Sequence, residues 1–410
     1  MANLEHIPRA NNSTKRKHQE PNINNNNKKK KIWPTHYEKQ ELITADQYSD
    51  EEDRLTNLPE PMKLHILSLL SLKQAIQTSA LSKSWVSSWT SIPVLTLNSG
   101  FFFTCSLCDF DKIVTKVLAC RDKSVKLNKL TFSRGGISTI KILKTVFSYA
   151  LSNGVKQVRA LIKGSRNGSW PDCLHNTSSD SLTRLKLISC SEIRCQFLGH
   201  RLALFKNLTN LYLENAIIMD DPDAFSGFLA LEKLTLYHCC YKDDNLNIRA
   251  SQLSVLNIMC FYNSFDRCEL STPKLRIFKF RARTFPVLVT PPQALPVLDE
   301  VVLDYQGSEN RKQSFQEMIT MFSTCHNAKS LTISMYAVLL LSRFWKELVK
   351  HCSPFRGLKF LKLDEDGFGK IPSDVKDYLL QYSVDAIISV VYIEGMFGKN
   401  FLRNIFEFSF

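Results

Sequence analysis

Cys105 and Cys108 form the one C-x-x-C pair of the chain, and nothing completes it as a metal site. A zinc knuckle needs four ligands, and no second C-x-x-C or H-x-x-x-H pair follows. Neither a metal nor another cofactor is expected. The nine histidines are scattered, none at a recognisable catalytic spacing from a cysteine or an acid. The phosphate-cradling pattern G-x-x-x-x-G-K-[ST] is absent, as are G-x-G-x-x-G, H-E-x-x-H and G-x-S-x-G. Twelve cysteines offer thiols, but nothing singles one out as a nucleophile. The chain reads as non-catalytic.

The chemistry that is concentrated is positive charge. Lys15-Arg16-Lys17 is followed, after ten residues, by Lys28-Lys29-Lys30-Lys31. Two cation clusters on an extended segment have the form of a bipartite nuclear localisation signal, which presents them to two acidic pockets. Residues 1–31 hold eight Lys/Arg against two acids, six of the fourteen net charges of the chain. With its run of asparagines at 24–27, the tail has little to bury, and residues 1–49 are expected to be a disordered basic tail. Such a tail also neutralises phosphates, so a nuclear nucleic-acid-binding or scaffold protein is the alternative reading. Against nucleic acid stands the lack of a dense basic stripe with interleaved aromatics in the rest of the chain.

The remainder must supply a folded body. In 410 residues, 44% are hydrophobic and 22% charged, an ordinary globular balance. The longest apolar runs, 336–341 and 386–393, are of strand length, well short of the ~18 residues that span a bilayer. The N-terminus lacks the apolar core of a secretion signal. A soluble, non-secreted protein is expected, without membrane contact and with its cysteines mostly reduced and buried.

After Asp50-Glu51-Glu52-Asp53 the pattern turns helical. Asn57 is placed to cap a helix with Pro59 and Pro61 in its first turn. Met62, Ile66, Leu67 and Leu70 form one apolar stripe, and Ala75, Ile76, Ser79 and Ala80 a second face. Ser82 precedes an expected third helix with Trp85 and Trp89 on one side. Three short helices bury only a small core, so their apolar surplus needs a partner.

The run Asp53-Arg54-Leu55-Thr56-Asn57-Leu58-Pro59-Glu60, through Ile66-Leu67-Ser68-Leu69-Leu70, to Leu81-Ser82-Lys83-Ser84-Trp85 resembles a plant-type F-box. Pro61, Ser71, Ser84 and Val86 depart from the family's usual residues, while the apolar contact positions are kept. The resemblance implies that residues 50–92 dock on a Skp-type adaptor of a cullin–RING ubiquitin ligase. Leu58, Pro59, Ile66, Leu67, Leu70, Leu81, Trp85 and Trp89 would form the docking face or the core beneath it.

From 93 to 410 an internal repeat decides the fold. The pattern L-x-x-L-x-L, with substitutions, begins at Leu127, Val155, Leu182, Leu208, Leu231, Leu253, Leu275, Leu298, Ala328 and Leu358, with a partial copy at Val94. Successive copies lie 22 to 30 residues apart, which suits leucine-rich repeats. Cys190 and Cys239 complete the longer consensus, each expected in a buried turn after its strand. The wider spacings leave room for helices at 314–323 and 340–352. The expected fold is α/β: a small three-helix F-box, then a leucine-rich-repeat solenoid with a parallel sheet on its concave face and a C-terminal cap. Plant F-box proteins commonly carry such irregular arrays, and Ser271-Thr272-Pro273-Lys274-Leu275 and the segment 371–383 resemble their recurrent elements.

Within each strand the residues between the buried ones face the concave surface. The candidate target face is Arg184, Lys186, Tyr212, Lys233, Tyr237, Lys279 and Arg281, with Asn210, Thr235 and Asn257 between them and the acids Glu300 and Asp304 only towards the end. Taken together, these features predict a nuclear substrate-recognition subunit of an SCF-type ligase, whose protein target the sequence does not name.

Overall fold

The repeat residues set the architecture. In the computed structural model the described residues are 55–80, 82–102, 105–198, 204–218, 224–241, 244–261, 265–290, 298–307, 311–364 and 371–391. Each of the ten copies supplies a strand whose first motif residue lies just before it and whose next two point inward. No motif residue is more than 4% exposed. Full burial of one such side chain stabilises by roughly 2 kcal/mol, and no single repeat could bury its own set.

The strands run parallel and in chain order: Val94–Asn98, Lys129–Ser138, Gln157–Ser165, Arg184–Arg194, Asn210–Ile218, Lys233–Tyr237, Val255–Cys260, Ile277–Ala282, Glu300–Tyr305, Ser330–Ile333, Phe360–Asp364 and Ile387–Val391. A backbone ladder just ahead of the strands pins their register. Thr209 N–H donates to Thr183 C=O, Glu232 to Thr209, Ser254 to Glu232 and Arg276 to Ser254, each across 2.9 Å.

Spacing decides what lies between neighbouring ladder strands. Long repeats carry helices: Leu107–Cys120, Ile140–Ser152, Lys312–Thr324, and Met335–Arg343 followed by Trp345–Leu348. The shortest repeats instead carry a second, three-stranded parallel sheet, formed by Asn245–Arg249, Arg267–Ser271 and Val287–Val289. Its Leu246, Ile248, Cys268, Leu270 and Leu288 join the same core as the main strands. A helix follows near the C-terminal end of the described array, Ser373–Leu379.

The N-terminal module has helices Glu60–Ser68 and Leu72–Gln77. The first starts after Pro59 rather than at Asn57, because Pro61 fits its second position and the N-cap residue is Pro59 itself. Ser71 and Gln74 form a reciprocal capping box on the second. The expected third helix is a series of 3₁₀ turns, Thr78–Ala80, Lys83–Trp85 and Ser88–Ser91. Ser82 does not cap with its side chain; its hydroxyl pairs with that of Ser84 at 2.9 Å.

The apolar run 336–341 lies in the helix Met335–Arg343, so the helix expected at 340–352 begins earlier and is completed, after Phe344, by Trp345–Leu348. One cysteine expectation is corrected. Cys190 is exposed, because its strand continues through that position with a register shift between Ile188 and Ile193. Cys239 is fully buried, and burial pushes its thiol up to about 12. Half of the cysteines are buried, Cys105 and Cys108 are exposed, and all are free thiols.

Candidate functional site

Two surfaces carry the sequence-derived site residues. The first is the N-terminal module. Its core is Leu67, Ala75, Trp85 and Ile92, with Leu58, Ile66, Leu70 and Trp89 packed against it. The Trp85 indole N–H donates to Leu55 C=O at 3.0 Å, closing the segment before the first helix onto the 3₁₀ turns. Leu72 belongs to the repeat core, and Trp89 touches both cores, so the module is fused to the first repeat. Among the residues it leaves in solvent are four large apolar ones: Leu55, Met62, Leu69 and Val86 are each more than half exposed.

The second surface is the face of the main sheet that points away from the core. Strand register places Arg159, Lys186, Tyr212, Thr235, Asn257 and Lys279 along one rung, and Ile188, Glu214, Tyr237, Met259, Arg281 and Asp304 along the next. Lys186 Nζ sits 3.9 Å from the centre of the Tyr212 ring, an attraction between cation and ring quadrupole. The Tyr212 hydroxyl donates to Glu214 Oε2 at 2.8 Å. Burial raises the Glu214 carboxyl above its ordinary range, opposed by the Tyr212 bond and the charges of Lys186 and Arg159. Burial, and then the Glu214 charge, push the Tyr237 phenol up to about 12.

Towards the C-terminal strands the cations are paired. Lys279 Nζ meets Glu300 Oε1 at 3.0 Å, and Arg281 Nε lies 2.8 Å from Asp304 Oδ2. The Arg281 guanidinium also covers the Phe261 ring, 5.0 Å from its centre. Beside them His238 holds the left-handed backbone at φ 51° and turns its ring edge-on to Tyr237, 4.4 Å between centres. Burial and then the Arg281 charge lower the His238 imidazole. Arg184 and Lys233, on the neighbouring rung, are exposed.

A profile of the F-box domain matches residues 55–97. A putative F-box/FBD/LRR-repeat protein of Arabidopsis thaliana is 26% identical over 349 residues, covering 76% of this chain and 68% of the relative. An F-box/FBD/LRR-repeat protein of the same plant is 27% identical over 218 residues, covering 52% and 47%. An Arabidopsis F-box protein is 25% identical over 297 residues, covering 71% and 91%. The chain thus spans from about half to nine-tenths of the length of these relatives. It carries an F-box domain and resembles plant F-box/leucine-rich-repeat proteins.

The F-box residues divide by depth. Leu67 and Trp85 are core, Leu58, Ile66, Leu70 and Trp89 are half-buried beneath the surface, and Pro59 is exposed. Leu81 lies outside the described residues, as do Lys15, Arg16, Lys17, Lys28, Lys29, Lys30 and Lys31. The exposed Met62, Leu69 and Val86 were not in the sequence-derived set. Met62 starts the apolar stripe and could have been read from it; Leu69 falls beside that stripe, and Val86 occupies a position where the family usually has Arg. On the repeat face the sequence missed Glu214, an acid in the middle of the cationic strands. Its signal was its place two residues after Tyr212 on the same side of one strand.

Proposed function

We propose that this F-box/leucine-rich-repeat protein is a non-catalytic substrate-recognition subunit of an SCF-type cullin–RING ubiquitin ligase. The F-box holds a Skp-type adaptor and the sheet face holds a protein target, so that the ligase acts by proximity. The observation that carries this reading is an F-box with its own core closed and joined to the repeats, yet with Leu55, Met62, Leu69 and Val86 in solvent. A protein adaptor docked on the F-box would bury these side chains. On the sheet face, Lys279 and Arg281 are already matched by Glu300 and Asp304. An acidic or phosphorylated target segment therefore belongs on the exposed Arg184 and Lys233, beside the Tyr212 and Tyr237 rings. Nuclear localisation through residues 15–17 and 28–31 completes the proposal.

The test is co-precipitation with a Skp-type adaptor. A Met62→Glu, Leu69→Glu chain should lose the adaptor while keeping its circular dichroism. Undiminished capture by that folded variant would overturn the assignment. Alanine at residues 28–31 should shift a fluorescent fusion out of the nucleus, and an unchanged distribution would remove the nuclear part of the reading.

A further inference from the structure

A cleft of about 530 Å³ opens between two successive repeats, away from the sheet-face cluster. Its walls are the turn after helix Lys312–Thr324 and the turn before strand Phe360–Asp364. Four of its lining residues are His326, Lys329, Arg356 and Lys359; Ser323 and Asn327 add neutral donors, and none of the described lining residues is acidic. We infer that this cleft is a binding site for a phosphate-bearing anion. The volume falls in the ordinary range for small-ligand sites.

Backbone geometry sets the two lysines side by side. Lys359 N–H donates to Lys329 C=O at 2.7 Å, which puts the two lysines at matching positions of adjacent repeats. Strand neighbours lie about 4.8 Å apart, and like charges at that spacing repel. Among the described residues only Lys329 is relieved, by Asp299 Oδ1 at 2.8 Å, and Asp299 already accepts from Arg276 Nε. Lys359 is exposed and makes no ion pair among the described residues. Arg356 rests its guanidinium over the Tyr382 ring, 5.4 Å from its centre, which orients the planar fork and leaves its N–H groups for an acceptor. The His326 Nδ1 lies 3.0 Å from Ser323 C=O. A carbonyl only accepts, so Nδ1 carries the hydrogen and Nε2 is the nitrogen left for a ligand. A phosphate group presents enough oxygens to take the Arg356 fork and the Lys359 ammonium at once.

The phosphate can be borne by a partner protein's phosphorylated side chain or by a free small polyphosphate. Calorimetric titration of the full chain with inorganic pyrophosphate, and with a phosphoserine peptide and its unphosphorylated twin, separates these sources. Saturable binding of either phosphate compound, weakened at least tenfold in Arg356→Glu, Lys359→Glu and weakening as salt rises, is the expected result. The compound that binds identifies the source. Arg356→Gln, Lys359→Gln serves if the charge reversal disturbs folding, with a smaller loss of the same sign. Absence of saturable binding by both, or binding unchanged in the folded variants, would overturn the site.

Discussion

The indole N–H of Trp85 reaches the carbonyl of Leu55, thirty positions earlier in the chain, across 3.0 Å. Trp85 is also 2% exposed, so it holds the F-box together instead of meeting a partner directly. Trp85→Ala should cost about 3–5 kcal/mol and leave the Leu55 carbonyl without this donor. Hydrogen exchange should quicken in Glu60–Ser68 and Leu72–Gln77, with the strands from Arg184 onwards still protected. Equal protection of the two helices in wild type and variant would contradict this role.

A second expectation concerns Arg281 and Asp304. Asp304 is fully buried, and its carboxylate faces the Arg281 guanidinium. Removing one member of a buried pair typically costs about 3–5 kcal/mol, because the other charge stays buried. Arg281→Ala should lower the thermal midpoint markedly, and Arg281→Ala with Asp304→Ala should recover part of the loss. A double variant as unstable as the sum of the two single ones would show that the pair is not coupled.

Glu214 gives a pH dependence. Its carboxyl is raised above the ordinary value of 4.5 by burial, so the folded chain holds that proton more tightly than the unfolded chain does. The stability it contributes is complete below 4.5 and is lost as pH rises through the folded value. Glu214→Gln keeps an acceptor for the Tyr212 hydroxyl and removes the titration. Thermal midpoints from about pH 4 to about pH 8 should show wild type falling relative to Glu214→Gln as pH rises. A constant difference would place the Glu214 titration elsewhere.

The repeat array was legible because its signal is dense. Three buried residues at fixed offsets recur ten times, and Leu231, Leu234 and Leu236 each announce the same inward direction. The second sheet was not read, since Leu246 with Ile248, or Cys268 with Leu270, offers only two alternations per strand. The 3₁₀ turns around Trp85 and Trp89 share enough spacing with an α-helix to pass for one. Charge was legible as composition but not as pairing. Lys279 and Glu300 are 21 residues apart and meet only because parallel register sets Ile277 opposite Glu300, with Lys279 two residues along. Alternation along the strands puts both residues on one face but does not give the diagonal that neutralises them.

The amide ladder from Thr183 to Arg276 fixes one step per repeat, whatever the length of chain between steps. Insertions are thereby absorbed on the side of the helices and second sheet, while the sheet face keeps its pitch. Duplication or loss of a whole repeat would move everything beyond it by one step, about 4.8 Å, without disturbing the neighbours' chemistry. The array is in this sense a ruler with fixed graduations, along which the distance from the fused F-box to any chosen patch can be reset in whole units.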